Sequence, residues 1–237
     1  MGIALITGAS RGIGKELACV LAQEGISLIL VARSPVQMDG HITHLADLAT
    51  KEGIDSVLKL IDEHRPSLVV NNAAIGFYGS CITQETISEM IEVNCSAVAQ
   101  ISRHAAKRWI ESGREGIVLN VSSVLDHFAA PHAAVYAATK SFVTSFSRAF
   151  DFELQQQGVR VLCAAPGRVA TGFGFRTQQK GVALDPRQVA LALVQQVKNK
   201  RGYQCIDWRY RVVAFLAKLV PQSLISWGLS RYYTNAS

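Results

Sequence analysis

Short apolar runs alternate with longer amphipathic stretches along almost the whole chain. Six runs rich in Val, Ile and Leu predict buried strands: Ile3–Thr7, Ser27–Val31, Ile42–Leu45, Leu68–Asn71, Ile117–Val121 and Arg160–Ala164. Four stretches between them have helical periodicity: Ile13–Gln23, Ile54–His64, Thr86–Ile110 and Ala134–Gln157. A seventh strand is expected near Tyr203–Ile206. This alternation predicts an α/β fold: a Rossmann-type, doubly wound parallel sheet of about seven strands with helices on both faces.

The chain of 237 residues is long enough for one sizeable core and has no internal repeat, low-complexity tract or linker. We therefore predict a single domain over residues 1–237. Four glycines stand where helices are expected to end: Gly25, Gly53, Gly113 and Gly158. Beyond the last strand, an apolar stretch with basic residues on one face predicts a helical extension over residues 208–232.

A glycine-rich segment, Thr7–Gly14, follows the first strand and opens the first helix. Gly8 permits a tight turn, Gly12 lets the backbone approach a pyrophosphate, and Gly14 lets helix and sheet pack closely. The N–H groups and the positive dipole end of the helix would then face the phosphates. The spacing is Gly-x3-Gly-x-Gly, and its place between strand and helix predicts a dinucleotide site. Its residues are Gly8, Ser10, Arg11, Gly12, Ile13 and Gly14.

The end of the second strand indicates which dinucleotide is bound. Enzymes that use NAD usually have an acidic residue there, which accepts hydrogen bonds from the adenosine ribose. Here the strand ends in Ala32, Arg33 and Ser34, so no carboxylate repels a 2′-phosphate and Arg33 offers a guanidinium to bind one. Arg11 in the glycine turn can reach the same side. We therefore predict NADP(H) as the cofactor; the simpler alternative is two exposed surface arginines.

Tyr136 and Lys140 begin a long predicted helix, four residues apart, so that phenol and ammonium share one helical face. The cation would lower the pKa of the phenol, which is about 10 in a free tyrosine and too high for proton transfer near neutral pH. Tyr-x-x-x-Lys is also a common accident, and a core tyrosine beside a surface lysine is the alternative when the pair is taken alone.

Five motifs stand in order along the chain and give that pair its context. They are Thr7–Gly14, Asn71-Asn72-Ala73, Asn94, Ser123 ahead of Tyr136 and Lys140, and Pro166-Gly167 followed by Thr171. Together they resemble the motifs of the short-chain dehydrogenases/reductases, in their compact single-domain branch. The resemblance covers nearly the whole chain and is specific, because all five motifs occur in order at these spacings.

The resemblance implies a role for each of four residues. Ser122 and Ser123 both end the fifth strand, but the family's active serine lies thirteen positions before the tyrosine, which selects Ser123. Tyr136 would exchange a proton with the carbonyl or alcohol oxygen, and Ser123 would hold that oxygen. Lys140 would bind the nicotinamide ribose and lower the pKa of Tyr136. Asn94 would hold a water that links Lys140 to bulk solvent.

The same resemblance implies further cofactor contacts. Asp47 and Leu48 would lie near the adenine, and Asn72, Ala73 and Ala74 along the adenosine ribose. The segment after the sixth strand would lie near the nicotinamide carboxamide and the phosphates of the cofactor. Its residues are Pro166, Gly167, Val169 and Thr171. The next segment, residues 172–184, would form a mobile lid over the substrate.

One departure from the family pattern matters for the substrate. Only about a dozen residues separate Arg33 from Asp47, so the helix that family members usually have between strands two and three is expected to be missing. A few pterin-reducing relatives share this shortening, which leaves a pterin open as substrate. Ala74 stands where the family commonly has glycine and adds one methyl group near the cofactor.

Composition limits the remaining possibilities. Five scattered cysteines without a CxxC spacing favour reduced thiols and a cytoplasmic location, and the histidines suggest no metal site. The net charge of +6 is concentrated from Lys198 onward, where the sequence has seven basic residues and a single acidic one, Asp207. That basic, apolar end is expected to pack on the body or on a partner subunit; a membrane-surface anchor is the alternative. The aromatic residues fall in core positions, which speaks against nucleic-acid binding.

We therefore predict an NADP(H)-dependent oxidoreductase that interconverts a ketone or aldehyde and an alcohol. The family resemblance implies a homodimer or homotetramer, joined through the helices near Thr86–Ile110 and Ala134–Gln157. Two alternatives remain open. The first is a non-catalytic protein that senses NADP(H), and the second is a pterin- or lipid-directed reductase of the same fold.

Overall fold

Seven parallel strands form one sheet in the computed structural model, which describes residues 2–77, 83–173 and 183–210 together with positions 212 and 224. The strands are β1 (Ile3–Thr7), β2 (Ser27–Ala32), β3 (Ile42–Leu45), β4 (Leu68–Asn71), β5 (Gly116–Val121), β6 (Val159–Ala165) and β7 (Tyr203–Cys205). Their order across the sheet is β3-β2-β1-β4-β5-β6-β7. The order reverses between β1 and β4, and ligands of such sheets bind outside the carboxyl ends of the strands at this point.

Six α-helices cover the sheet in the described part of the chain. They are α1 (Gly12–Gln23), α2 (Lys51–His64), α3 (Gln84–Ile91), α4 (Ala97–Glu111), α5 (Ala134–Leu154) and α6 (Pro186–Lys198). Short helical turns occupy Glu92–Ser96, which is π-helical, and Val124–His127 and Gln155–Gln157, which are 3-10 helical. The predicted seven-stranded Rossmann-type sheet is thus confirmed.

Both faces of the sheet are buried, as the continuous apolar strands predict. Successive side chains of β1 point to opposite faces: Leu5 joins a core beneath α2, α4 and α5, whereas Ala4 and Ile6 join a second core beneath α1 and α6. These two apolar layers hold the strands in register, so the loops at their carboxyl ends are fixed relative to one another.

The connection from β2 to β3 contains no helix: residues 33–41, all of them described, form turns and irregular chain. The expected shortening is therefore present. Val36 and Met38 from this loop pack on the second core in place of a helix. The edge strand β3 stays poorly covered, with Ile42 40% and Leu45 61% exposed.

Three local expectations need correction. The stretch predicted as one helix over Thr86–Ile110 is interrupted by the π-helical turn Glu92–Ser96. Gly53 does not end a helix; it lies in the first turn of α2, where a Cβ would overlap the backbone of Asp47. Helix α6 was missing from the predicted set, although Asp185 caps it by accepting from two backbone N–H groups and Pro186 opens it.

Two predicted segments fall largely outside the described residues. The lid over residues 172–184 is described only at Gly172 and Phe173 and at Ala183 and Leu184. The helical extension over residues 208–232 is described at residues 208–210, 212 and 224. Among the described residues, none of the helices combines the length and the apolar character that crossing a membrane requires.

Candidate active site

Every motif singled out in the sequence except Asn94 and the Tyr136–Lys140 pair follows the carboxyl end of a strand. The glycine turn follows β1, Asn72 follows β4, Ser123 follows β5 and Pro166 follows β6. Because parallel strands end at one edge of the sheet, these four segments converge on the crevice beside β1 and β4.

The glycine turn has a backbone that only glycine forms easily. Gly8 and Gly12 have φ values of +68° and +57°. A Cβ at Gly8 would lie 2.8 Å from the Cα of Ala73, and one at Gly12 would lie 2.9 Å from the Cβ of Thr171. A Cβ at Gly14 would overlap the carbonyl of Gly8. The turn is therefore closely enclosed by the chain segments that follow β4 and β6.

The chain after β4 is bonded directly to this turn. Thr7 Oγ1 accepts hydrogen bonds from the backbone N–H groups of Asn72 and Ala73, each at 3.1 Å. Asn72 Nδ2 donates to the carbonyl oxygens of Thr7 at 3.0 Å and Gly8 at 3.1 Å. The Asn72 side chain thus supports the glycine turn in this structure, and its backbone and the half-buried Ala73 and Ala74 form the adjacent wall.

Helix α1 begins at Gly12, so its amino end lies within the glycine turn. Arg11 precedes it in an extended conformation and provides no side-chain cap, and no acidic residue lies in the first turn. The first N–H groups of a helix need acceptors from outside the helix. This end of α1 therefore has the polarity and the backbone geometry that suit a phosphate.

Lys140 lies beneath the ring of Tyr136 on α5. Its side chain is buried, with only 3% of the residue exposed, and Nζ donates to the carbonyl oxygen of Val121 at 2.9 Å. Nζ lies 5.7 Å from the centroid of the Tyr136 ring, and Tyr136 is 6% exposed. Burial lowers the pKa of Lys140 to about 8, because an ammonium loses its hydration there. A lysine with such a pKa can exchange a proton near neutral pH.

The two serines at the end of β5 have different surroundings. Ser122 Oγ donates to the carbonyl oxygen of Lys140 at 2.9 Å and lies 2.8 Å from Thr144 Oγ1, so it belongs to the packing between β5 and α5. Ser123 instead opens the turn Val124–His127, where its Oγ accepts from the backbone N–H of Leu125 at 3.3 Å. The choice of Ser123 by spacing stays a prediction.

Asn94 is fully buried within the π-helical turn. Its amide clamps the backbone of Ile75: Oδ1 accepts from the Ile75 N–H at 2.9 Å, and Nδ2 donates to the Ile75 carbonyl at 2.8 Å. Nδ2 also lies 3.0 Å from Thr139 Oγ1, next to Lys140 in the chain. The widened turn thus brings Asn94 between the strand β4 loop and helix α5, and π-helical turns often occur at functional sites.

Comparison with known proteins identifies the family. The family model described as short chain dehydrogenase matches residues 2–180. The chain belongs to the short-chain dehydrogenase family. Among curated relatives, a very-long-chain 3-oxoacyl-CoA reductase from Phaeosphaeria nodorum is 28% identical over 97% of this chain and 71% of its own length. The 3-oxoacyl-[acyl-carrier-protein] reductase FabG from Vibrio cholerae is 31% identical over 85% of this chain and 91% of its own.

Solved structures agree with this assignment. A short-chain dehydrogenase from Sphingobium yanoikuyae in complex with NADPH has a TM-score of 0.81 and 26% identity, covering 95% of this chain and 96% of that one. A 3-ketoacyl-(acyl-carrier-protein) reductase from Brucella melitensis complexed with NADH has a TM-score of 0.76 and 25% identity, covering 86% and 95%. This short-chain dehydrogenase is therefore an enzyme of the oxidoreductase class.

Residues predicted to bind the adenosine half are less closely gathered in this short-chain dehydrogenase. Arg33 Nη1 lies 3.1 Å from Glu89 Oε1 on α3, and Ser34 is exposed. Leu48 is buried in the first core. Asp47 is exposed and accepts from the backbone N–H of Ala49 at 3.0 Å, so its carboxylate stabilises the turn that precedes α2.

The segment after β6 closes over the glycine turn. Val169 and Leu184 form a parallel bridge, which ties together the two ends of the predicted lid. Thr171 packs on Gly12, as the short Cβ approach there shows. Pro166 is buried, and a Cβ at Gly167 would lie 2.8 Å from the ring of Tyr210, so the chain after β7 packs on this motif.

One site residue was not predicted from the sequence. Phe173, the second residue of the predicted lid, has its ring centroid 5.9 Å from that of Tyr136 and lies close to Gly76. It is 37% exposed and so forms an apolar wall at the mouth of the site. Its only signal was a large apolar residue between two glycines directly after Thr171.

The described residues contain no group of three or more His, Cys, Asp or Glu side chains that could hold a metal ion.

Proposed function

We propose that this short-chain dehydrogenase is an NADP(H)-dependent reductase that interconverts a ketone or aldehyde and an alcohol. The observation that carries the proposal is the pair on α5: a buried Lys140 with its pKa lowered to about 8, beneath the ring of Tyr136. Asn94, Ser123, Tyr136 and Lys140 are proposed as the catalytic residues. Burying an ammonium costs free energy of folding, and a protein that only binds a nucleotide gains nothing from that cost.

The proposed mechanism assigns one task to each side chain. Ser123 donates a hydrogen bond to the carbonyl oxygen and orients it toward Tyr136, whose hydroxyl transfers the proton. Lys140 supplies positive charge beneath the Tyr136 ring, which favours the phenolate form of Tyr136, and it then restores the proton of that hydroxyl. Asn94 holds the loop after β4 to α5 and supports a path for protons toward solvent. NADPH, when bound, supplies the hydride.

The preference for NADP(H) is proposed from charge. The second strand ends without an acidic residue, at Ala32, and the guanidinium of Arg33 follows. Arg11 lies exposed in the glycine turn. Of the two solved relatives above, one is complexed with NADPH and the other with NADH, so the fold accommodates either dinucleotide. Arg33 and Arg11 are the residues that would select the 2′-phosphate.

For the substrate we propose a 3-oxoacyl thioester as the first class to test, because two curated relatives are named for such reductases. The apolar wall formed by Phe173 beside Tyr136 suits an acyl chain. A dihydropterin is the second candidate, since residues 33–41 form no helix and a few pterin-reducing members of the family share this shortening.

We further propose a cytoplasmic homodimer or homotetramer with a single domain over residues 1–237. Cys19, Cys95 and Cys163 are free thiols, which suits a reducing compartment. The exposed aromatic side chain of Phe142 on α5 supports self-association.

The test follows NADPH oxidation at 340 nm with acetoacetyl-CoA, a panel of ketones and a dihydropterin. We expect turnover by the wild type and a loss of about 10²- to 10⁴-fold in Tyr136→Phe, the usual contribution of one acid/base group. Binding of NADPH, followed by its fluorescence, should be retained in that variant. Turnover that survives in Tyr136→Phe would contradict the mechanism, and tight NADPH binding without any turnover would favour the sensing alternative.

A further inference from the structure

Asp126 is a buried carboxylate that the mechanism above does not use. It lies in the 3-10 turn three residues after Ser123, and its side chain has no exposed surface. Oδ2 accepts hydrogen bonds from Thr144 Oγ1 and, at 3.3 Å, from the hydroxyl of Tyr203. Oδ1 is buried without a hydrogen-bond partner. Burying a carboxylate oxygen without a hydrogen-bond partner costs stability, so a functional role for Asp126 is worth seeking.

The contacts of Asp126 join three elements behind the catalytic residues. Thr144 lies on α5 one turn after Lys140, and Ser141 Oγ donates to the backbone carbonyl of Asp126 at 2.8 Å. Tyr203 is the first residue of β7. The turn that begins at Ser123 is therefore fixed at its far end to the helix that carries Tyr136 and Lys140.

The hydrogen-bond donors form a chain that ends on the carboxylate. His127 Nε2 lies 2.9 Å from the Tyr203 hydroxyl, and that hydroxyl donates to Asp126 Oδ2. His127 Nε2 is also 3.6 Å from Oδ1 and reaches solvent, with 40% of its side chain exposed. Donors directed at a carboxylate favour its ionised form. Burial acts in the other direction and raises the pKa of Asp126.

The charge of Asp126 bears on Lys140, because the other titratable groups around that ammonium carry no negative charge near neutral pH. Besides Tyr136 on the same helix, the titratable groups near it are Cys95, Cys163 and Asp126. Burial raises the pKa of Cys95 to about 11 and that of Cys163 to about 12, so both are neutral thiols near neutral pH. Besides the Val121 carbonyl that accepts from Nζ, Asp126 is thus the group among these three that can place a negative charge near the Lys140 ammonium at neutral pH.

We propose that Asp126 is a positioning residue for the reaction, which holds the Ser123 turn on α5 and keeps a negative charge behind Lys140. The proposal rests on the proposed function of the Tyr136–Lys140 pair. Asp126 acts through these residues and does not touch the substrate. Its charge keeps Lys140 protonated to higher pH, which extends the range in which Tyr136 can be reprotonated.

The sign of the pH effect follows from the charges. An anion near Lys140 raises its pKa, so removal of the anion lowers it further below the ordinary value. The alkaline limb of kcat/KM for carbonyl reduction should then move to lower pH. If the alkaline limb moves by about one pH unit, the variant is about tenfold less active than the wild type at pH values above the pKa of both proteins. Well below both pKa values the two activities differ little.

The test compares Asp126→Asn with the wild type in full-chain enzyme, at saturating NADPH with acetoacetyl-CoA, between pH 6 and 10. Asn keeps the shape and an acceptor oxygen, so it isolates the charge. We expect the alkaline limb to move down by about one unit, with activities at pH 6 within a few-fold of each other. A profile that superimposes on the wild type, or a loss by the same factor at every pH, would overturn the proposal. Asp55→Asn, a surface carboxylate on α2, is the control and should leave the profile unchanged.

Two further measurements keep the proposal testable. If Asp126→Asn does not fold, Tyr203→Phe removes one donor to the same carboxylate and should shift the limb in the same direction by a smaller amount. Amide hydrogen exchange in residues 123–128 should be faster in Asp126→Ala than in the wild type, and unchanged exchange would refute the positioning role. A wild type that reduces no probe would refute the proposed function, whereas an active wild type with an unaltered Asp126→Asn profile would refute the role of Asp126 alone.

Discussion

Lys140 shows at the scale of one residue how function and stability oppose each other. The spacing of Tyr136 and Lys140 predicts a shared helical face, but the structure adds that the ammonium is buried and bonded to the Val121 carbonyl. Burial depresses its pKa from 10.5 to about 8. A cationic group whose pKa is lower in the folded state destabilises the fold below that pKa, and this effect fades as pH rises toward the unfolded value.

We expect Lys140→Met to abolish carbonyl reduction while raising the free energy of unfolding at pH 7 by about 1–3 kcal/mol. Met fills a similar volume and brings no charge into the core. The gain should shrink as pH rises from 7 toward 10, because wild-type Lys140 then folds in its neutral form. Chemical denaturation at pH 7 and pH 10, alongside the assay at pH 7, measures both effects. A variant less stable than the wild type at pH 7 would show that the burial of Lys140 is fully compensated.

At the scale of elements, helix α3 supplies the ion-pair partner of Arg33. The loop after β2 is short and has no helix, and Glu89 on α3 pairs with Arg33 at 3.1 Å. Both side chains are well exposed, 55% and 36%, so this pair contributes little to stability. Its carboxylate nevertheless lies beside the group proposed to bind a 2′-phosphate, and it competes with that phosphate for the guanidinium.

We expect Glu89→Gln to bind NADPH a few-fold more tightly, because the competing carboxylate is gone and exposed pairs are worth at most about 1 kcal/mol. Arg33→Ala should weaken NADPH binding by about tenfold or more, as loss of a charge-assisted hydrogen bond does. Neither change should alter NADH binding, which lacks the phosphate. Dissociation constants for both nucleotides, measured by fluorescence in the single and double variants, test this. Equal effects on NADPH and NADH would place the phosphate elsewhere.

At the scale of the whole molecule, helix α5 and the edge strand β3 differ in the kind of surface that they present. Along α5, Phe142, Phe146 and Phe150 stack in one row, with ring centroids 5.9 Å and 5.2 Å apart, and Phe142 is 41% exposed. At the far edge of the sheet, β3 exposes Leu45 beside the helix-free loop. A contiguous aromatic patch more often marks a protein interface than a single exposed side chain does.

We expect the wild type to be a dimer or tetramer at micromolar concentration, and Phe142→Glu to shift it toward monomer by placing a charge in the patch. Leu45→Glu, on the edge strand β3, is the matched control and should leave the assembly unchanged. Light scattering coupled to size exclusion measures all three proteins. A wild-type monomer would refute the interface, and dissociation of the Leu45 variant instead would move it to the edge strand.

The sequence by itself determined the features that depend on neighbours along the chain. The alternation of strands and helices, the left-handed turn at Gly8 and Gly12 and the shared face of Tyr136 and Lys140 all follow from local periodicity and backbone sterics. Helix α6 also has a local signal in the sequence, because Asp185 is an ordinary N-cap residue and Pro186 follows it at the start of the helix.

Only the tertiary structure decided which distant residues meet. Arg33 pairs with Glu89, Phe173 packs on Tyr136, the Asn94 amide clamps Ile75, and Asp126 links the Ser123 turn to α5. Periodicity encodes which face of an element is buried but not what lies against it. The charge around Lys140 and the wall beside Tyr136 are therefore set by the packing of elements that are far apart in the chain.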